Sequence, residues 1–121
     1  MATDGIRGNI SVSQKVTTNY DMSLGDSNFQ IKEPVETFTM VSIQASWDSR
    51  TGTASPTSAV TMEMSNNGTD WEDAGLSAVI DASTGSEILI DDAFACKFLR
   101  AVFTQGSTTG GNLNIEIVAK D

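Results

Sequence analysis

Four separated stretches of this sequence alternate apolar and polar side chains one residue at a time, and that period is the strongest constraint on what the chain can fold into. Val41, Ile43, Ala45 and Trp47 fall on one side of a strand running from Met40 to Trp47, with Ser42, Gln44 and Ser46 on the other. Val60, Met62 and Met64 repeat the pattern against Thr61, Glu63 and Ser65, and Leu99, Ala101 and Phe103 against Arg100, Val102 and Thr104. Leu113, Ile115, Ile117 and Ala119 face away from Asn114, Glu116 and Val118 and give the clearest case. Successive side chains of an extended chain point to opposite faces, so each stretch predicts a strand with one face in a core and one in water. A helix needs apolar residues at spacings of three and four, and no window of eleven or more residues keeps that spacing.

Shorter strand candidates are Ile10 to Val16, Asn28 to Ile31, Ala78 to Asp81 and Glu87 to Ile90, and a single helical turn is expected at Asp92 to Ala95. Turn-forming residues separate these pieces. Asp48 to Pro56 is rich in Ser, Thr, Gly and Pro. Ser65-Asn66-Asn67-Gly68 is a tight-turn signal, because Asn and Gly tolerate positive φ. Gln105 to Asn112, with Gly106, Gly110 and Gly111, reads as a hairpin loop. About eight short strands so punctuated predict an all-β chain, a single antiparallel β-sandwich of jelly-roll type. Residues 1–35 are less regular and more polar and are expected to form an extended N-terminal arm with edge strands. Residues 36–121 are expected to form the sandwich core, the whole being one domain.

Composition narrows the chemistry. The 121 residues contain 7 Lys and Arg against 16 Asp and Glu, a net charge of −9, which disfavours direct contact with a polyanionic nucleic acid. No apolar run approaches the length of a membrane span, and Met1 to Ile10, with Asp4 and Arg7, does not read as a secretory leader. There is no histidine, which removes His-based triads, His acid–base catalysis and His zinc sites. The single cysteine, Cys96, lies between apolar neighbours and is expected in or near the core. The paired carboxylates Asp91-Asp92 and Glu72-Asp73 lack the spacing of a calcium loop and read as solvated turns. Neither an enzyme, a cofactor nor a metal is expected.

Four residues stand out as candidates for a ligand site or an interface. Trp71 follows the Asn67-Gly68 turn by three residues, where it can fold back over the strand or offer a platform for a sugar ring. Trp47, with Tyr20, is a further candidate to stack a sugar. Asn67 lies in the turn itself. Arg100 sits mid-strand among apolar residues, where it is expected to pair with a carboxylate across the strand or across an interface.

The series Val41-Ser42-Ile43-Gln44-Ala45-Ser46-Trp47, Val60 to Trp71, Lys97-Phe98-Leu99-Arg100-Ala101-Val102-Phe103-Thr104 and Gly111 to Ala119 resembles the small β-sandwich domains of bacteriophage structural proteins, over roughly residues 38–120. Asn67 stands where those domains more often carry Asp before the Gly, and the first 35 residues depart from the pattern. The resemblance implies a non-enzymatic virion accessory protein, assembled in the bacterial cytoplasm, that binds the capsid lattice as decoration or cement, or a neighbouring virion component. Its partners would be capsid or tail subunits and further copies of itself, with no nucleic acid or membrane. Similar strand–turn–Trp patterns occur in discoidin-like carbohydrate-binding jelly rolls, which implies as the alternative a carbohydrate- or receptor-binding module.

Overall fold

The computed structural model describes residues 11–32, 35 and 38–120. Over these residues the chain forms eight strands: β1 (Ser11–Asp21), β2 (Ser27–Gln30), β3 (Met40–Gly52), β4 (Ala59–Ser65), β5 (Glu72–Val79), β6 (Gly85–Asp91), β7 (Phe98–Thr104) and β8 (Thr108–Lys120). They make two four-stranded sheets, β1-β8-β3-β6 and β2-β7-β4-β5, and every recorded pairing is antiparallel. The pairs β1·β8, β2·β7, β3·β6 and β4·β5 nest like one long hairpin rolled on itself, which is the topology of a jelly roll.

The alternation read from sequence lines the space between the sheets. Val41, Ile43, Ala45 and Trp47 of β3 pack with Leu113, Ile115, Ile117 and Ala119 of β8, facing Val60, Met62, Leu99, Ala101 and Phe103 of the second sheet. Ile115 and Ile117 are 1% and 0% exposed. Residues 1–35 contribute β1 and β2, the edge strands on one side of the two sheets, and Met22 and Ile31 between and after them join the core. The first ten residues, including Ile10 of the first strand candidate, lie outside the described residues.

Local expectations differ from the structure in five places. β5 begins at Glu72 and not at Ala78, because its pairing with β4 starts directly after the turn, at Met64↔Glu72. Asp92 to Ala95 is not helical. The Asp91 carboxylate accepts from the backbone N–H of Ala93 at 3.0 Å, and the N–H of Phe94 donates to the Thr39 carbonyl, which draws Phe94 into the core. The one helical turn among the described residues is a 3-10 turn at Met22–Leu24, capped by Asp21. Residues 105–112 are not a hairpin loop: β7 and β8 lie in different sheets, and Gln105 to Ser107 suffices to cross between them. Gly110 and Gly111 belong to β8. Gly111 has φ 120°, and a Cβ there would sit 2.8 Å from the Arg50 Cα and from the Met22 Cε. Ser65, placed on the polar face by strict alternation, is buried because its hydroxyl accepts the N–H groups of Asn67 and Gly68 and so pins the turn. Finally, β3 runs through Asp48 and Ser49 to Gly52, deep into the stretch that reads as a turn.

Candidate assembly face

The free edges opposite β1 and β2 are β6 and β5. The sequence of β6 contains three consecutive apolar residues, Ile88-Leu89-Ile90, and a strand can turn only alternate residues inward. Leu89 goes inward and is 4% exposed; Ile88 and Ile90 go outward and remain 51% and 58% exposed. The antiparallel register sets Ile90 beside Ser42, which pairs onward with Val118, and Ile88 beside Gln44, which pairs onward with Glu116. Ile88, Ile90, Ser42, Gln44 and Val118, with Met40 and Lys120, line a groove of about 380 Å³ on the outer face of the first sheet. The charged Glu87 and Asp91 of β6 are in register with the inward residues Ala45 and Val41 and lie along the free edge. Charges so placed oppose the addition of another strand to that edge, while the apolar face beside it stays open. Asp92 follows at the same end and is exposed.

The same sheet carries a second, polar groove of about 260 Å³ over β1, β8 and β3, lined among others by Lys15, Thr17, Gln44, Ser46, Asn114 and Glu116. Asn114 accepts the backbone N–H of Asn19 at 2.9 Å, and Glu116 accepts the hydroxyl of Ser13 at 3.0 Å. One sheet face therefore joins an apolar strip to a polar margin, the anatomy of a protein interface.

On the outer face of the second sheet several polar side chains pair with one another, beside the exposed Val79. Arg100 donates from Nε and Nη2 to a single oxygen of Glu63 at 2.9 and 2.7 Å, across the β7–β4 register. Its guanidinium lies 4.2 Å from the centre of the Trp71 ring, which covers one face of that ring. Thr61 and Ser77 share a hydrogen bond at 2.8 Å. Asn67 is consumed by its own loop: its Oδ1 accepts from Ser65, Thr69 and Asp70, and its Nδ2 donates to the Asp70 carboxylate. Trp71, Asn67 and Arg100 thus gather at one end of the second sheet, in and beside the β4–β5 turn.

Trp47 is elsewhere and offers neither a stacking face nor an interface. It is 6% exposed, its Nε1 donates to the Ala82 carbonyl at 3.0 Å, and it presses on Gly85, where a Cβ would approach its ring to 2.6 Å. Tyr20 packs edge-on against Phe29 and Phe103 and donates its hydroxyl to the Gly25 carbonyl.

Two features escape a reading by period alone. Ile88 and Ile90 are one; the run of three apolar residues was the signal, since one parity of any strand faces outward. Arg50 is the other. It is 7% exposed inside a Ser/Thr-rich stretch, and its guanidinium donates to Thr108 Oγ1 at 3.0 Å and to the carbonyls of Thr53 at 2.6 Å and Asp81 at 3.4 Å. Nothing in the local sequence distinguishes it from an exposed loop cation. Among titratable groups, Asp21 has its carboxyl held below the ordinary value of 3.8, first by the Ser23 hydroxyl and then by the Ser23 N–H. Among the described residues no three His, Cys, Asp or Glu side chains gather as a metal site, and no helix is long and apolar enough to cross a membrane.

No protein-family model matches the chain, and no curated protein matches it in sequence. Solved structures similar to it include a protein from a study of the disulfide-linked pili that form Bacillus endospore appendages, at 13% identity and TM-score 0.45, covering 99% of this chain and 97% of that one. PirA is similar at 12% identity and TM-score 0.43, over 100% of this chain and 99% of its own. FLHE is similar at 11% identity and TM-score 0.36, over 90% and 91%. At 11–13% identity and TM-scores no higher than 0.45, these likenesses bear on neither activity nor partners.

Proposed function

We propose that this chain is a non-enzymatic structural protein that works by docking, and that the body it joins is a bacteriophage virion, on whose capsid or neighbouring components it serves as decoration or cement. The observation that carries the docking reading is the pair Ile88 and Ile90, half-exposed side by side in a groove with Met40 and Val118, bordered by Ser42, Gln44 and Lys120. Isolated exposed apolar residues, such as Leu24 and Val79, are ordinary; a grooved cluster marks a contact surface. The non-enzymatic part is supported by the lack of histidine and by a fold whose polar clusters are spent on loop geometry. The virion part is supported by the sequence resemblance over residues 38–120. The jelly roll does not decide it, since capsid and lectin domains share that architecture.

Cosedimentation of the purified chain with assembled phage particles that lack it tests this reading. Saturable binding that is lost in Ile90→Asp is expected. A chain that stays in the supernatant refutes the virion reading, and binding indifferent to Ile90→Asp refutes the face.

A second reading, a carbohydrate- or receptor-binding module, is favoured by the polar groove across β1, β8 and β3, where amide, hydroxyl, ammonium and carboxylate groups converge. It predicts glycan-induced amide shifts at Gln44, Asn114 and Glu116 in an NMR titration, and no relief of Trp71 quenching by acrylamide. The absence of any shift would remove the reading, and shifts confined to the Trp71 end would move its site away from the polar groove.

A further inference from the structure

We infer that Asn67-Gly68 is a site of spontaneous deamidation that this fold holds shut, with the Ser65 hydroxyl as the latch. The site lies in the turn between β4 and β5 and is independent of the docking face.

An asparagine followed by glycine is the pair most open to this reaction, because glycine has no side chain to shield its nitrogen. The Gly68 nitrogen loses its proton to base and attacks Cγ of Asn67. The Cγ–Nδ2 bond breaks, Nδ2 takes up a proton from water and leaves as ammonia, and a cyclic imide remains. Water then opens the imide at either carbonyl and gives aspartate or isoaspartate, the latter with the main chain rerouted through Cγ. Nothing is oxidised or reduced, and water is the only co-reactant.

The turn opposes the first step. Ser65 Oγ accepts the Gly68 N–H at 2.9 Å and the Asn67 N–H at 3.2 Å, and donates its own proton to Asn67 Oδ1 at 3.1 Å. A hydroxyl has one proton and two lone pairs, and all three are committed here. Ser65 is 4% exposed, so the proton that must be removed points at a buried oxygen with no capacity to take it. Gly68 is backed by the Phe98 ring, whose Cε2 lies 3.5 Å from where a Gly68 Cβ would sit, which limits its swing. The leaving group is held as well, since Nδ2 donates to the Asp70 carboxylate at 2.8 Å.

The rest of the cradle favours the reaction once the latch is off. Thr69 and Asp70 each donate a backbone N–H to Oδ1 at 2.8 Å. Negative charge gathers on that oxygen as Gly68 attacks, and donors already aimed at it lower the barrier. Removal of the Ser65 hydroxyl frees the Gly68 proton and leaves both donors in place. The product does not fit the turn: an oxygen in place of Nδ2 sets two carboxylates against each other where Asn67 and Asp70 now share a hydrogen bond. The turn leads directly to Trp71, so its rearrangement draws the indole away from the Arg100 guanidinium.

Mass spectrometry of the full chain incubated at mildly alkaline pH, with digestion to locate residue 67 and to separate aspartate from isoaspartate, measures the rate. The folded chain is expected to react at Asn67 at least tenfold more slowly than the same chain unfolded in urea. Folded Ser65→Ala, checked by circular dichroism, is expected to react at least tenfold faster than the folded wild type. Asp70→Ala releases Nδ2 but keeps the Ser65 bonds and the residue 70 N–H, and is expected to change the rate far less than Ser65→Ala does. A folded wild type as fast as the unfolded chain, or a folded Ser65→Ala no faster than the wild type, overturns the inference. So does an equal acceleration by Asp70→Ala, which makes general loosening of the turn, and not the Ser65 hydroxyl, the control.

Discussion

Arg50 carries the sharpest prediction about stability. Three loops end beside it: residues 53–58 after β3, residues 80–84 before β6, and residues 105–107 between β7 and β8. Its guanidinium bonds one acceptor in the first, one in the second, and Thr108 Oγ1 beside the third, while its backbone N–H donates to the Ser83 carbonyl at 3.0 Å. Among the described residues no carboxylate lies within ion-pair distance of it, so the buried charge is held by dipoles alone. Arg50→Met keeps much of the stem's packing and removes the donors. The guanidinium makes four bonds, the fourth from Nη2 to Ser107 Oγ at 3.4 Å. The two shorter ones contribute about 1.5–3 kcal/mol each in gross terms and the two at 3.4 Å less. Against this stands the recovered cost of desolvating the guanidinium, several kcal/mol for an ion. Both acceptors keep another bond, since Thr53 O also receives the Ser107 hydroxyl, and Thr108 Oγ1 donates to Ser58 Oγ, whose own proton goes to the Gln105 carbonyl. The balance is a loss of about 2–4 kcal/mol. For 121 residues the unfolding entropy near the midpoint is about 0.25 kcal/mol/K, so Tm should fall by about 8–16 °C. Urea titration and a thermal melt, each followed by the fluorescence of Trp47, whose Nε1 bonds the loop carbonyl of Ala82, read the two quantities. Arg50→Lys should recover little, because one ammonium cannot span acceptors spread over three loops. A Met variant within 0.5 kcal/mol of wild type, on the scale of ordinary surface substitutions, would refute the clamp.

Three other outcomes are expected. Gly111→Ala should destabilise by about 3 kcal/mol in the same titration, since φ 120° is strained for any side chain and the new Cβ meets the Arg50 backbone. A double-mutant cycle of Glu63→Gln and Arg100→Met should give a coupling of about 0.5–1 kcal/mol, as for a partly exposed pair, and Arg100→Met alone should increase acrylamide quenching of Trp71 by uncovering its ring. The carboxyl of Asp21 should titrate below 3.8 by NMR. A folded value depressed below the unfolded one contributes stability that is complete above the unfolded value and lost as pH falls through the folded one. The turn at Met22–Leu24 should therefore loosen only in that acid range, and Asp21→Asn should abolish the dependence.

The sheets were legible because their inward residues follow one simple rule. The period of two in Val41 to Trp47 and in Leu113 to Ala119 is imposed by the pleat itself, and burial follows it residue by residue. What a short-range pattern cannot carry is contact between distant segments. Gly111 belongs to a strand because Met22 and Arg50 press on it, and neither is near it in sequence. Phe94 leaves its expected turn because the Thr39 carbonyl claims its N–H. Asn67 looked like a group free to meet a ligand, yet its amide is filled by the N–H groups that its own turn brings round.

The two sheets divide the domain's labour in a way that the local rules expose by being broken. On the outer face of the second sheet Glu63 pairs with Arg100 and Thr61 with Ser77, and Val79 is the exposed apolar residue there. On the first sheet the outward parity of β6 is isoleucine, and β6 is also the strand whose free edge carries Glu87 and Asp91. A sequence selected only for a soluble monomer would exchange Ile88 and Ile90 for threonine at almost no cost in stability, because half of each side chain is already in water. Keeping them while charging the edge blocks one route of association, strand addition, and leaves another open, burial of a face. Full burial of an isoleucine is worth about 1.5–3 kcal/mol, so completing the half-exposed pair offers about that much in sum. That is too little for a permanent complex by itself and is suited to a contact repeated many times over an assembly.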